Sequence, residues 1–126
     1  MPAAGAAIQP RLDFLNQPFP PQIPEKTLHI TNIAVNTDLP AEKHETLFTA
    51  HAAWFKKHFA AGHFLMLGPY IDSDAHDGVI FAHVKDRAEL DAILAEDCYY
   101  PNLARYDIRE FAPKMIAEDI GKAKMA

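Results

Sequence analysis

The stretch HFLMLGPYIDSDAHDGVIFAHV, residues 63–84, holds two short apolar runs with a polar, turn-prone loop between them. The first run, residues 63–67, stops at Gly68-Pro69, and the second occupies residues 79–84. Apolar runs of this length that are bounded by Gly, Pro, Asp and Ser are typical of strands, and the loop predicts a β-hairpin. The hairpin decides the fold because helical patterns flank it on both sides.

The helix before the hairpin is predicted over residues 41–61. Pro40 suits the start of a helix, where a missing N–H costs nothing, and Gly62 suits the position after its last turn. Apolar and aromatic side chains recur at steps of three and four, which predicts one packed face. That face carries Leu47, Phe48, His51, Trp54, Phe55, His58 and Phe59.

A second helix is predicted over residues 87–95, because Asp86 and Glu89 form a capping box at its start. Two further strands, TLHITNIAV at 27–35 and YDIREF at 106–111, complete the pattern. The order β, α, β, β, α, β is typical of a ferredoxin-like α+β fold. We expect a four-stranded antiparallel sheet with both helices on one face.

One face of such a sheet has no helix over it. An apolar sheet face has to be covered, and a chain of 126 residues holds little else to cover it. A second copy of the chain, related by twofold symmetry, is the simplest cover. We therefore expect a homodimer.

The two ends of the chain differ from the domain predicted at residues 27–112. Residues 1–26 form a proline-rich N-terminal arm, since prolines are excluded from helix interiors and central strands. Its apolar side chains suggest that the arm packs on its own domain or on a partner subunit, and a disordered leader is the alternative. Residues 113–126 form a short C-terminal tail.

Composition excludes several classes of function. The formal net charge of −5 argues against nucleic-acid binding, which needs basic patches. No apolar run approaches the ~20 residues of a transmembrane helix, and the first residues are not expected to act as a secretory signal, because they lack a basic and an apolar region. Cys98, the single cysteine, cannot form an intrachain disulfide, and a small buried hydrophobe is a commoner role for it than a nucleophile. We expect a cytoplasmic protein without membrane contact.

Seven histidines raise the question of a metal site. His44, His51 and His58 share one stripe of the first helix, but a seven-residue step separates neighbours by about 10 Å, too far for one metal. No HExxH, GxGxxG or Walker sequence occurs, so no metal or cofactor is predicted. A metal site that combines other histidines with carboxylates stays open as an alternative.

His51 is the histidine best placed for chemistry. It lies in the middle of the helix beside Trp54 and Phe55, and burial there favours a neutral imidazole, which can accept a proton. Asp97 is its natural partner, since a carboxylate at a helix C-terminus is unfavourable unless another group stabilises it. The simpler alternatives are a core histidine and a solvated turn residue. His44 and His58, near the helix ends, are expected to be partly exposed.

Several of these residues resemble the YCII family (YciI-like proteins). The resemblance covers residues 27–112 and is carried by an ordered set of motifs: His51-Ala-Ala-Trp54, Gly62, Leu65-Met-Leu-Gly68-Pro69, Gly78, Asp97 and Tyr106-Asp-Ile-Arg-Glu-Phe111. It implies a ferredoxin-like dimeric α/β barrel with a catalytic His–Asp pair at His51 and Asp97. Gly68 and Pro69 would then lie at the pocket edge.

The chain departs from the family pattern beside both catalytic positions. Phe48 replaces an arginine three residues before the histidine, which makes an acidic substrate less favourable, and Cys98 replaces a proline after Asp97. The aromatic residues near the site predict a flat, apolar pocket for an aromatic or polyketide-like ligand. They are Phe48, Trp54, Phe55, Tyr99 and Tyr100.

The favoured function is a cofactor-independent acid/base enzyme of lyase, isomerase or cyclase type. His51 would act as general base, Asp97 would orient it, and Tyr70 or Tyr99 would donate to a developing enolate oxygen. Two alternatives remain: a non-catalytic small-molecule-binding or accessory dimer, because fold alone does not give function, and a histidine-rich metal-binding protein.

Overall fold

The computed structural model describes residues 27–123. The predicted order of elements and the α+β ferredoxin-like fold are confirmed. The predicted N-terminal arm lies outside the described residues, and the predicted domain boundaries stay a prediction. The elements are β1 (Thr27–Val35), α1 (Ala41–Ala60), β2 (Phe64–Pro69), β3 (Asp77–Val84), α2 (Arg87–Leu94) and β4 (Ala104–Phe111).

The four strands form one antiparallel sheet in the order β2-β3-β1-β4. The predicted hairpin is longer than expected, because β2 continues through Gly68 and Pro69, which pair with Val79 and Gly78. Proline is tolerated there because β2 is an edge strand. The backbone N–H of Tyr70 donates to the carbonyl of Asp77 at 3.0 Å and closes the hairpin.

The core lies between the sheet and the two helices. On β1 the alternate residues His29, Thr31 and Ile33 are buried, which places their face of the sheet against the helices. Trp54 and Phe64 belong to the same core cluster. From α2, the three residues Leu90, Ile93 and Leu94 are buried.

The set of α1 side chains that pack inward differs from the prediction. His58, expected to be partly exposed, is buried at 3% exposure, because its ring packs against Phe64 with ring centroids 5.4 Å apart. Phe48 and Phe59, both predicted on the packed face, are each 55% exposed instead. The helix therefore directs His51, Trp54 and His58 toward the rest of the domain.

Gly78 is required where β2 and β3 approach each other. A Cβ at this position would lie 2.7 Å from the carbonyl oxygen of Gly68, which is backbone and cannot move aside without shifting β2. We expect Gly78→Ala to lower the free energy of unfolding by about 1–3 kcal/mol, measured by urea titration. Gly68→Ala is the matched control, because its Cβ would meet no atom within 4 Å. Equal losses in both variants would contradict this packing.

No helix among residues 27–123 packs on the opposite face of the sheet. Met66 and Phe111 are 40% and 47% exposed there, and cross-strand pairing places further apolar residues beside them. We call this surface the open face. Its apolar members are Leu28, Ile30, Met66, Phe81 and Phe111.

The described residues after Phe111 lie outside the compact unit formed by Lys26–Phe111. They contain a short 3₁₀ helix, Ile120–Lys122, in which the N–H of Lys122 donates to the carbonyl of Asp119 at 2.8 Å. Within residues 27–123, the helices are too short or too polar to cross a membrane. The cytoplasmic location stays a prediction.

Candidate active site

Asp97 lies in the turn that follows α2. Its N–H donates to the carbonyl of Leu94 at 3.0 Å, and its own carbonyl accepts from the N–H of Tyr100 at 3.0 Å. These bonds direct the side chain inward, where the residue is only 2% exposed. The alternative that Asp97 is a solvated turn residue is therefore excluded. Its buried carboxylate needs hydrogen-bond donors.

Two donors reach the Asp97 carboxylate from different elements. His51 Nδ1, on α1, is 2.8 Å from Oδ1, and the Tyr106 hydroxyl, on β4, donates to Oδ2 at 2.7 Å. An ionised carboxylate can only accept, so the histidine carries its proton on Nδ1. His51 Nε2 has no partner within residues 27–123 and can therefore accept a proton.

Tyr106 is a site residue that was not predicted from the sequence, although it begins the YDIREF segment. Burial raises its pKa well above the ordinary value, and the hydrogen bond to Asp97 raises it further. The hydroxyl is therefore a permanent donor at neutral pH. Alternation on β4 could have identified it, since Tyr106 and Ile108 are half-buried whereas Arg105 and Asp107 are exposed.

Replacement of Tyr106 by Phe tests this third member of the site. At pH 7 we expect the free energy of unfolding to fall by about 1–3 kcal/mol, because Asp97 Oδ2 loses its buried donor. The raised pKa means that the unfolded chain loses the phenol proton first, so wild-type stability declines above about pH 10 by an extra ~1.4 kcal/mol per pH unit.

Urea unfolding at pH 7 and between about pH 10 and 11 should thus show the wild type approaching the variant as pH rises. A difference in stability that stays constant over this range would contradict the assigned hydrogen bond.

A cavity of about 330 Å³ lies between α1 and the sheet, in the size range of small-molecule sites. His51 contributes a polar group to a wall that is mostly apolar. The strand residues of this wall were not predicted from the sequence, because a buried strand position can face either the core or the cavity. The lining residues are Ile33, Val35, Phe48, His51, Phe55, Leu67, Gly68, Pro69, Ala75, His76, Asp77, Gly78, Val79, Ile80 and Tyr99.

Five of the eight residues predicted to bind substrate line this cavity: Phe48, Phe55, Gly68, Pro69 and Tyr99. The other three have different surroundings. Trp54 is buried, and its indole N–H donates to the carbonyl of Ile93 at 2.9 Å. Tyr70 donates to the Asn32 side chain. Tyr100 is 40% exposed and packs against Tyr106, with ring centroids 5.5 Å apart.

Two tyrosines, Tyr70 and Tyr99, were predicted as possible donors, and only the Tyr99 hydroxyl has no partner within residues 27–123. Tyr99 is only 2% exposed, and its ring centroid is 5.0 Å from that of His51. Burial, followed by the neighbouring Cys98 and Asp97, raises the pKa of the phenol. Tyr99 therefore keeps its proton beside the cavity, where a bound molecule can accept it.

Two further residues, Cys98 and His44, were considered for chemistry or metal binding. Cys98 is partly buried, its Sγ donates to the carbonyl of Leu47 at 3.1 Å, and burial raises its pKa, so the thiolate is disfavoured. His44 packs against His76 with ring centroids 5.2 Å apart. Within the described part of the chain, no three His, Cys, Asp or Glu side chains are grouped so as to hold a metal ion.

The chain is thus an α+β protein of ferredoxin-like layout, in which a half-buried histidine is paired with a buried aspartate beside an apolar cavity. Residues 29–112 match the family model described as the YCII-related domain, which covers two thirds of the chain. The protein belongs to the YCII family. No curated protein matches it in sequence.

Proposed function

We propose that this protein is a cofactor-independent acid/base enzyme of lyase, isomerase or cyclase type. One observation carries the proposal: a buried carboxylate holds His51 by Nδ1, the same histidine lines an apolar cavity, and its Nε2 has no hydrogen-bond partner among the described residues. An imidazole in this position can take up a proton from a bound molecule, while Asp97 fixes its tautomer and stabilises the imidazolium that forms.

The proposed step is removal of a proton next to a carbonyl group. His51 Nε2 forms a bond to the proton and the C–H bond breaks. The electron pair of that bond forms a carbon–carbon double bond, and the π pair of the carbonyl moves to its oxygen to give an enolate. The Tyr99 hydroxyl is the proposed donor to that oxygen, because it is protonated and has no partner within residues 27–123. Return of the proton to another carbon completes an isomerisation, and expulsion of a leaving group completes an elimination.

The cavity wall favours a neutral, flat substrate. Phe48 and Phe55 supply aromatic surface, whereas no lysine or arginine is among the lining residues that the structure describes. A carboxylate or phosphate inside the cavity would lack a permanent cation to offset its loss of hydration. An aromatic or polyketide-like ketone is the proposed substrate class.

Deuterium exchange tests the proposal without knowledge of the natural substrate. Aromatic ketones such as 1-indanone and 1-tetralone carry acidic protons next to the carbonyl and can be incubated with the protein in D₂O. We expect the wild type to accelerate deuterium incorporation, and His51→Ala to lose about 10²- to 10⁴-fold of that acceleration. His44→Ala, another histidine of α1, is the matched control and should keep the wild-type rate. A folded His51→Ala variant with full activity would refute the proposal.

The cavity alone also suits a non-catalytic binding or accessory protein. In that case the ketones would shift cavity signals in NMR spectra and return without deuterium. The metal-binding alternative has a separate test, metal analysis of protein purified without a histidine tag, and stoichiometric metal would favour it.

The homodimer is part of the proposal. The open face has Leu28, Ile30 and Phe81 beside the exposed Met66 and Phe111, and a second copy would bury this apolar surface by twofold symmetry. Sedimentation equilibrium should give twice the chain mass for the wild type and the single-chain mass for Phe81→Glu. A monomeric wild type at micromolar concentration would contradict this part.

A further inference from the structure

A second histidine–carboxylate pair lies two helical turns from the first. His58 follows His51 by seven residues on α1, and Glu96 directly precedes Asp97. His58 Nε2 is 2.9 Å from Glu96 Oε1, and Lys57 Nζ donates to the same oxygen at 3.0 Å. Two adjacent acids after α2 are thus held by two histidines of one helix.

The His58 ring has a partner at each nitrogen. Its Nδ1 is 2.9 Å from Nδ1 of His63, opposite the bond to Glu96. Polar atoms that are buried need hydrogen bonds, and both ring nitrogens of this buried imidazole have them. Since packing against Phe64 also restrains the ring, His58 holds Glu96 in one position.

The turn that carries both acids needs stabilisation for an electrostatic reason. Carboxylates are disfavoured at the C-terminal end of a helix, where the carbonyl groups concentrate negative charge. Glu96 and Asp97 follow the C-cap residue of α2, Ala95, and donate their N–H groups to the carbonyls of Ile93 and Leu94 at 3.1 and 3.0 Å. The hydrogen bond from His58, and then that from Lys57, lowers the pKa of Glu96 and keeps it ionised.

Contacts from successive turns of α1 hold this segment along its length. On α1, Trp54 lies between His51 and His58 in sequence, and its indole N–H donates to the carbonyl of Ile93, just before the two acids. We propose that Glu96 and His58 are positioning residues for the His51–Asp97 pair. By fixing the residue before Asp97, they keep its carboxylate on Nδ1 of His51. The catalytic consequence of this role rests on the proposed function.

NMR of the histidine side chains tests the proposal on the full chain and needs no substrate. The readout is solvent exchange of the His51 Nδ1 proton, together with the tautomer reported by its ¹⁵N shifts. In Glu96→Ala we expect exchange about fivefold faster than in the wild type, because the turn opens more often. Glu96→Gln keeps an acceptor for His58 and should restore most of the protection.

Asp91→Ala is the matched control. Asp91 lies on α2 and pairs with Arg87 at 2.9 Å on the exposed surface, away from α1. Unchanged exchange in Glu96→Ala, or equal acceleration in Asp91→Ala, would overturn the positioning role. The proposed function can fail separately. If His51→Ala keeps full deuterium-exchange activity while Glu96→Ala accelerates solvent exchange of the His51 Nδ1 proton, the positioning role stands and only the catalytic role of the His51–Asp97 pair is refuted.

Discussion

Asp97→Asn should reduce the proposed proton transfer about 10²- to 10⁴-fold while the protein stays folded. Asparagine keeps the shape of the side chain and can still form hydrogen bonds to His51 and Tyr106. It carries no charge, however, so the imidazolium loses its stabilising partner. If the amide N–H₂ turns toward Nδ1, the histidine takes the other tautomer, and Nε2 can no longer accept a proton.

Rates of deuterium incorporation into an aromatic ketone measure this effect, with circular dichroism as the check on folding. Asp107→Asn is the matched control, because Asp107 is exposed on β4 and pairs with Arg105 at 3.3 Å. The control should match the wild type. A folded Asp97→Asn protein with the wild-type rate would show that the charge of Asp97 has no part in the chemistry.

Phe64→Ala should have the largest effect on stability. Phe64 is 1% exposed, and its ring lies 5.2 Å from that of Trp54 and 5.4 Å from that of His58. Removal of the ring leaves a cavity beneath the part of α1 that carries these residues. We expect the free energy of unfolding to fall by about 3–5 kcal/mol.

The same substitution at Phe59 is the control for this loss. Phe59 is 55% exposed near the end of α1, so Phe59→Ala should change the free energy of unfolding by less than about 0.5 kcal/mol. Urea titration of both variants gives the comparison. Equal losses would mean that the core is not centred on Phe64.

The order of strands and helices could be predicted from the sequence because its signals are local. The loop at 72–78, the Asp86–Glu89 capping box and the β-branched run at 27–35 each act within a few residues. Strand ends were less predictable: β2 passes through Gly68-Pro69, since an edge strand tolerates a proline whose missing N–H would face solvent.

The site was harder to predict, because it depends on contacts between distant residues. The meeting of His51 with Asp97 was expected from a resemblance, whereas spacing alone left a core histidine as the simpler alternative. Tyr106 was missed because nothing local shows that its hydroxyl reaches a carboxylate nine residues earlier. The hydrogen bond of His58 to Glu96 was missed for a similar reason, since the two residues are 38 positions apart.

The tautomer of His51 at neutral pH is the most direct test of the proposed acid/base site. The site requires a proton on Nδ1, held by Asp97, and an unprotonated Nε2 at the cavity. Long-range ¹H–¹⁵N correlation spectra should therefore show an Nδ1–H imidazole whose Nε2 signal moves when 1-indanone is added. A proton on Nε2 with a bare Nδ1, or an Nε2 signal that no ketone perturbs, would contradict the proposed chemistry.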